Sequence, residues 1–298
     1  MTGATGFVGA ATLDFALSQG ATVDALARSR QPKRKGVNWV RGALDDPESL
    51  NALVRNADVV LHIAGVVNAP DRAGFELGNA LGTMMLVDAA RRSHVRRFIH
   101  VSSLAAREPQ LSDYGWSKEL AERHVMASGL DWTIIRPPAI YGPRDREMLE
   151  LFRMANRGFM LLPPGGRLSV IAVTDLARLL VALCDDRART IAHLYEVDDG
   201  RAGGWTHAEF GHAIGGAIGR RVRALAVPAW LLHAAARGDR AIRGAKAKLT
   251  PDRARYFAHP DWVSSPTLTV PPDVWTPEID TPTGLRQTVM AYRKSGWL

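Results

Sequence analysis

The sequence predicts an α/β protein built on a doubly wound parallel sheet, and two observations carry that prediction. First, a glycine segment from Gly3 to Gly9, with the spacing G-x-x-G-x-x-G, leads into a helical pattern over 10–19. Glycines allow the sharp turn that brings a phosphate group against amide N–H groups at a helix N-terminus. Second, apolar strand patterns and helical patterns alternate through Gly142, as in a doubly wound sheet.

Each predicted element has a local signal. Gly20 is placed to end the first helix, and Asp46 followed by Pro47 is typical of a helix start. The run 58–64 is almost entirely apolar, as expected of a strand covered on both faces, and Thr206 opens a helix with a capping box. The predicted strands are 23–27, 37–40, 58–64, 97–102, 132–136, 168–173 and 193–197, and the further predicted helices include 82–92 and 117–128.

The pattern loosens beyond Gly142, which predicts a second region. We expect a sheet domain over 1–200, with its core in 1–142 and a return around 168–200, and a smaller, mostly helical substrate-binding or lid region over 201–298. A doubly wound sheet needs a central strand before the glycine loop, and Met1 stands where the last residue of that strand belongs. We therefore expect either further residues upstream in the natural protein or a compromised sheet.

Composition and charge exclude several classes of protein. Hydrophobic residues make up 46% and charged residues 23% of the chain, as in globular enzymes. The single cysteine, Cys184, excludes an internal disulfide, and the scattered histidines predict no metal site. No leader or membrane span is recognisable, which predicts a cytoplasmic protein.

The net charge of +8 comes largely from two segments, 28–35 and 237–255. Neither segment interleaves with aromatic residues, so nucleic-acid binding is not predicted. For residues 237–255 a solvated helix face is favoured, and contact with a membrane surface stays open.

The chemistry is carried by Tyr114 and Lys118, which are four residues apart and share a helix face. An ammonium near a phenol stabilises the phenolate, which makes Tyr114 a candidate general acid and base. Ser102 ends the predicted strand 97–102 and Ser103 follows it, at the carboxyl edge where α/β sheets bind ligands. A serine there is placed to hydrogen-bond a substrate oxygen.

Together these motifs resemble the extended branch of the short-chain dehydrogenase/reductase superfamily, the NAD-dependent epimerase/dehydratase family. The resemblance extends over nearly the whole chain. It also includes Asn79-Ala-Leu-Gly-Thr83, Arg136-Pro-Pro-Ala-Ile-Tyr-Gly142, Val173-Thr-Asp-Leu-Ala177 and the C-terminal Trp275-Thr-Pro277.

The resemblance implies a role for each matching residue. Tyr114 is the expected catalytic acid and base, Lys118 the residue that holds the nicotinamide ribose, and Ser103, rather than Ser102, the residue that orients the substrate oxygen. A homodimer through the helices near Gly82 and Ser117 is also implied. The expected cofactor contacts are Gly3, Thr5, Gly6, Phe7, Val8 and Gly9 at the pyrophosphate, Leu44 at the adenine, and Ala64, Gly65, Pro137 and Ile140 at the nicotinamide, besides Tyr114 and Lys118.

The residues at the end of the predicted strand 23–27, which corresponds to the second strand of relatives, predict NADP(H) rather than NAD(H). NAD-binding relatives have an acidic residue there, where this chain has Ala27 followed by Arg28. A guanidinium suits a 2′-phosphate, and Arg30 and Lys33 are placed to assist. A solvated basic loop is the alternative.

Three departures narrow the expected reaction. Leu104 and Ala105 follow Ser103 where dehydratases carry Asp-Glu, the interval from Ser103 to Tyr114 is short for an epimerase, and NADP suits a dissociable hydride donor. We expect an oxidoreductase acting on a secondary alcohol or ketone of an apolar or amphiphilic small molecule, similar to the 3β-hydroxysteroid dehydrogenase and dihydroflavonol reductase side of the branch. A nucleotide-sugar epimerase or reductase, and a non-catalytic NAD(P)-binding structural or sensor protein, stay open.

Overall fold

The structure is a computed structural model in which the chain forms two compact units. The first unit comprises Met1–Pro137, Thr174–Glu196 and Leu268–Thr276. The second comprises Pro138–Val173, Val197–Thr267 and Pro277–Leu298. The residues described are 1–163, 165–185, 189–228, 230–231, 234, 236–239 and 251–298.

The first unit is a parallel sheet with helices, as predicted. In one part of the sheet the strand 37–41 pairs with 23–27, in the other the strands 59–62, 97–101, 131–136 and 193–196 pair in that order, and every pairing is parallel. The elements of this unit are α1 (Phe7–Ser18), β1 (Val23–Ala27), β2 (Val37–Arg41), α2 (Pro47–Val54), β3 (Val59–His62), α3 (Arg72–Phe75) with a π-helical turn (Glu76–Leu81), α4 (Gly82–Arg92), β4 (Arg97–Val101), a 3₁₀ turn (Leu104–Arg107), α5 (Asp113–Met126), β5 (Asp131–Arg136), α7 (Val173–Asp185) and β10 (His193–Glu196).

Met1 and Thr2 lie between the two parts of this sheet, in the place of a central strand. The Leu26 amide donates a hydrogen bond of 3.0 Å to the Met1 carbonyl, and the Thr2 amide donates one of 3.0 Å to Leu61. Thr2 also forms a parallel bridge with His62. The backbone at the start of the glycine loop is therefore paired on both sides.

The core of the first unit lies between the sheet and helices α2 and α4. Phe98 on β4 and Ile134 on β5 are fully buried there. They pack with Leu50 of α2 and Leu86 of α4, both also fully buried. This packing fixes the carboxyl ends of the strands, where the candidate site residues lie.

The second unit has its own hydrophobic core, formed by Phe152, Ile214, Tyr292 and their neighbours. It combines short strands with helices, and beyond residue 200 its described elements are mainly helical, as predicted. Its elements are β6 (Ala139–Tyr141), α6 (Leu149–Asn156), β7 (Phe159–Leu162), β8 (Arg167–Leu168), β9 (Val170–Ala172), β11 (Trp205–Thr206), α8 (His207–Ile218), β12 (Arg223–Ala226), α9 (Pro251–Ala258), β13 (Asp261–Trp262) and α10 (Thr281–Lys294).

The two units divide the chain differently from the expected boundary at residue 200. Residues 138–173 belong to the second unit, where α6 packs on α8 and both β6 and β9 contact α10. The Glu196 amide donates a hydrogen bond of 2.8 Å to the carbonyl of Leu268, and residues 268–276 belong to the first unit. The assignment of one region to cofactor and the other to substrate stays a prediction.

Two helices begin earlier than predicted. α1 starts at Phe7 rather than at residue 10, and α5 starts at Asp113 rather than at Ser117. The reason in α5 is a cap that the prediction overlooked, since Ser112 Oγ accepts a hydrogen bond of 3.0 Å from the Gly115 amide. Among the described residues, no helix is long and apolar enough to cross a membrane.

Candidate active site

The glycine loop is held in a conformation that side chains would prevent. Gly3 has φ +75°, and a Cβ on it would lie 2.7 Å from the backbone nitrogen of Ala64. A Cβ on Gly9 would lie 2.0 Å from the Gly3 carbonyl oxygen, because α1 packs directly on the loop. No side chain caps α1 at Gly6, so the amide groups of its first turn are free to bind an anion.

The segment after β3 runs from this loop to Lys118. A Cβ on Gly65 would lie 3.7 Å from Lys118 Nζ and 2.8 Å from Asn79 Oδ1. Asn79 holds the segment in place: its side chain accepts a bond of 2.8 Å from the Val66 amide and donates bonds of 3.0 Å to the Val66 carbonyl and 2.9 Å to Ser117 Oγ. Sequence reasoning noted Asn79 only as part of a motif.

At the end of β4, Ser103 and Ser102 differ in their surroundings. Ser102 is buried, and its Oγ has no hydrogen-bond partner among the described residues. Ser103 is half-buried and caps the 3₁₀ turn, where its Oγ accepts a bond of 3.2 Å from the Ala105 amide. Ser103 is thus the more accessible of the two, in line with the role expected of it.

Tyr114 lies in the first turn of α5, half-buried and with its ring 6.2 Å from that of Phe75. A Cβ on the next residue, Gly115, would lie 2.6 Å from the Ala105 carbonyl oxygen. This close approach needs glycine, and it sets the turn that carries Tyr114 against the turn that follows Ser103.

Lys118 lies one helical turn after Tyr114 and is only 4% exposed. Its Nζ donates a hydrogen bond of 2.8 Å to the carbonyl of Val101, at the end of β4. Burial lowers the pKa of the Lys118 ammonium to about 8, and the Glu122 carboxylate acts in the opposite direction. The ammonium is therefore fixed at the carboxyl edge of the sheet.

A buried ion-pair network anchors α5 to the sheet behind the site. The Arg136 guanidinium on β5 binds both carboxylate oxygens of Glu122 on α5, at 2.8 and 2.6 Å. It also reaches Glu196 on β10 at 3.4 Å. Pro137 follows directly, and its carbonyl accepts a bond of 2.9 Å from the Leu104 amide. The end of β5 is thereby fixed to the turn after Ser103.

A groove of about 540 Å³ lies at the carboxyl ends of β1 and β2. Arg28 and Arg41 both line it, with Gly42, Ala43 and Asp46. Among the described residues neither arginine has an ion pair, and the Asp46 carboxylate caps α2 by accepting bonds from the Glu48 and Ser49 amides. Sequence reasoning missed Arg41, although it follows a predicted strand whose end must lie beside that of β1.

The remaining predicted contacts are distributed unevenly. Thr5 and Gly6 are exposed at the loop, and Phe7 and Val8 form the start of α1. Leu44 packs against the start of α4, where a Cβ on Gly82 would lie 3.0 Å from it, and it does not line the groove. Arg30 is exposed. Ile140 belongs to the second unit, and its contact with a cofactor stays a prediction.

Comparison with known proteins identifies the family. A family model described as NAD(P)H-binding matches residues 3–187, which is more than half of the chain. The chain belongs to the NAD(P)H-binding family. The resemblance to the extended short-chain dehydrogenase/reductase superfamily is confirmed, and the chain is an NAD(P)-dependent oxidoreductase or epimerase of that type.

Individual relatives cover the chain to different extents. It is 36% identical to ceramide reductase of Caulobacter vibrioides, in an alignment covering 100% of this chain and 95% of the relative. It is 27% identical to UDP-glucose 4-epimerase of Vibrio cholerae, over 77% of this chain and 78% of the relative. The crystal structure of Thermus thermophilus UDP-glucose 4-epimerase in complex with NAD has a TM-score of 0.71 at 22% identity, covering 98% of this chain and 97% of that one. This likeness confirms the Rossmann-like fold of the NAD(P)H-binding protein.

Proposed function

We propose that this protein is an NADP-dependent reductase that transfers hydride to a ketone of an amphiphilic, ceramide-like lipid. The observation that carries the proposal is the buried Lys118 ammonium, bonded to the end of β4 beside Gly65 and one helical turn from Tyr114. That arrangement suits proton transfer to a carbonyl oxygen next to a bound nicotinamide.

The described residues fit a dinucleotide. The uncapped amides at the start of α1 suit a pyrophosphate, and Gly65 lets the backbone after β3 pack closely against Asn79 beside Lys118. When bound, the nicotinamide supplies the hydride. Tyr114 donates the proton to the substrate oxygen, Ser103 orients that oxygen, and the Lys118 ammonium stabilises the phenolate that Tyr114 becomes.

The choice of NADP is supported by the groove at the ends of β1 and β2. Arg28 follows β1, and Arg41 is the last residue of the adjacent strand β2. The Gly42 amide donates a hydrogen bond of 3.1 Å to the Ala27 carbonyl, which holds the two strand ends together. Two guanidinium groups without acidic partners among the described residues favour a 2′-phosphate by charge-assisted hydrogen bonds.

The substrate class rests on the relative whose name is ceramide reductase, which aligns with the full length of this chain. A ceramide-like ketone has a polar amide and long apolar chains, as expected of an amphiphilic substrate. Leu104 and Ala105, directly after Ser103, are fully buried and hold no group that moves a proton, which argues against dehydration.

The test is NADPH consumption by purified protein with an N-acylated 3-keto sphingoid base in detergent micelles. We expect turnover with NADPH, little with NADH, and none with Tyr114→Phe, which should still bind NADPH. Interconversion of UDP-glucose and UDP-galactose without net NADPH consumption would instead support an epimerase. Binding of NADPH without turnover of any ketone would support a sensor protein.

Dimerisation and cytoplasmic location stay predictions. The helices expected to form a dimer, α4 and α5, contact each other within the first unit. Sedimentation velocity of the full chain distinguishes a monomer from a dimer.

A further inference from the structure

The parallel strand pair β7–β12 of the second unit has one covered face and one open face. On the covered face, Met160 and Leu162 are buried in the core. A Cβ on Gly211 of α8 would lie 2.8 Å from Met160 Sδ, which shows that α8 packs directly on this face. Side chains alternate along a strand, so Leu161, between these two residues, points to the opposite face.

The open face is apolar at its centre. Leu161 on β7 and Leu225 on β12 are register partners, and they are 48% and 50% exposed. Beyond the carboxyl end of β12, Trp230 is 70% and Leu231 43% exposed. Two adjoining apolar side chains on one face, with two more exposed shortly after β12 in the chain, indicate an interaction surface rather than scattered exposure.

The amino ends of the same strands are basic. Because β7 and β12 are parallel, Arg157 before β7 lies at the same end of the pair as Arg221 and Arg223. The Arg223 amide donates a hydrogen bond of 3.0 Å to the Gly158 carbonyl, which joins the two ends directly. All three arginines are exposed and have no ion pair among the described residues.

Acidic residues are absent from the sequence around both strands. The chain has none between Glu150 and Asp175, and none between Glu209 and Asp239. A face with an apolar centre and cations at one end, on strands whose flanking sequence has no carboxylates and is followed by an exposed tryptophan, complements an anionic lipid bilayer. A typical protein partner would instead be expected to meet mixed charges at the rim of its interface.

We propose that the open face of β7–β12 docks this protein on anionic bilayers, with Leu161, Leu225 and Trp230 entering the headgroup region. The surface differs from the basic segment 237–255 noted in the sequence, of which residues 240–250 lie outside the described part of the chain. The proposal does not depend on the reaction that the first unit catalyses.

The test is co-sedimentation of the full chain with vesicles of equal parts phosphatidylcholine and phosphatidylglycerol, and with vesicles of phosphatidylcholine alone. We expect binding to the anionic vesicles that weakens with salt. Leu161→Ser with Leu225→Ser should weaken it at least about tenfold, and each of Arg157→Gln, Arg221→Gln and Arg223→Gln about fivefold. All these side chains are exposed, so the variants should fold, and circular dichroism and thermal unfolding check that they do.

Matched controls replace side chains of the same type elsewhere. Met290→Ser removes an apolar side chain that is 69% exposed on α10, and Arg55→Gln removes an exposed arginine of the first unit. Neither should change vesicle binding. Failure of the folded protein to bind anionic vesicles overturns the proposal. So does equal weakening by the controls, or self-association that the leucine variant abolishes, since the face would then be an interface between copies.

Discussion

Lys118 Nζ donates a hydrogen bond of 2.8 Å to the carbonyl oxygen of Val101. This bond ties the middle of α5 to the end of β4, and it leaves the positive charge almost without solvent, with Glu122 on the next turn opposing the effect of burial on its pKa. A buried charge of this kind lowers the stability of the folded protein, and proteins retain one where chemistry or binding requires it. We therefore expect removal of this ammonium to change stability and activity in opposite directions.

Replacing Lys118 with Met should raise the stability of the cofactor-free protein and abolish its activity. The folded-state pKa of Lys118 is about 8, below its ordinary value of 10.5. Unfolding therefore relieves a charged, buried ammonium at every pH below 8, and the penalty shrinks as pH rises from 8 to 10.5. We expect Lys118→Met to gain about 1 to 3 kcal/mol at pH 7, and turnover to fall at least about a hundredfold.

Calorimetric unfolding at pH 7 and pH 10 checks this prediction. The advantage of Lys118→Met over the unmodified protein should be smaller at pH 10. A variant less stable at both values would mean that the bond to Val101 outweighs the desolvation of the ammonium.

Replacing Arg28 or Arg41 with Ala should change cofactor preference rather than cofactor binding as a whole. Both arginines line the groove at the ends of β1 and β2, and a charge-assisted bond from a guanidinium to a phosphate is worth about 1.5 to 3 kcal/mol. We expect the Kd for NADPH to rise about tenfold or more in each variant and the Kd for NADH to change less than about twofold.

Calorimetric titration measures both constants, and Arg55→Ala, an exposed arginine at the end of α2, serves as the control. Equal weakening of NADPH and NADH by Arg41→Ala would assign Arg41 to the shape of the groove instead of to the 2′-phosphate.

The sequence predicts elements well where the signal is local. The strand Val23–Ala27 and the helix Gly82–Arg92 have the predicted bounds, because apolar runs, glycines and helical periodicity mark their ends. The capping box at Thr206 is also present as predicted. The sequence did not predict the early start of α5, since Tyr114, Gly115 and Trp116 are weak helix formers. The helix begins at Asp113 because Ser112 caps it.

What the sequence did not predict depends on contacts between distant segments. Arg41 reaches the groove through the register of β2 beside β1. Residues 138–173 belong to the second unit because α6 packs on α8 and Phe152 joins the core around Tyr292. Such packing between distant segments has no local periodicity, whereas the place of Arg41 could have been inferred from the two predicted strands.

Replacing Gly115 with Ala should impair both folding and catalysis. The added Cβ would lie 2.6 Å from the Ala105 carbonyl oxygen, so α5 or the 3₁₀ turn must shift. Such overpacking costs about 1 to 3 kcal/mol, and displacement of Tyr114 should lower kcat/KM at least about tenfold.

The matched control is Gly216→Ala on α8, where the added Cβ would meet nothing within 4 Å. Because alanine favours a helix more than glycine does, the stability of this variant should be equal or higher. Full activity in Gly115→Ala would show that the position of Tyr114 tolerates the shift.

Acid should destabilise the first unit through two buried histidines on adjacent strands. His62 and His100 are register partners with ring centroids 5.2 Å apart, and both are fully buried. Burial, reinforced by the charge of Lys118, lowers the pKa of His62 to about 3 and that of His100 well below 6.5. The unfolded chain binds these protons at pH values where the folded protein does not, so stability should fall as pH drops below about 6.5, by about 1.4 kcal/mol per pH unit for each histidine.

Urea unfolding between pH 7 and pH 4 measures the slope of stability against pH. His100→Phe should reduce this slope by about half. The control is His193→Gln, which replaces an exposed histidine of the same unit and should leave the slope unchanged. An unaltered slope in His100→Phe would mean that other groups govern the acid response.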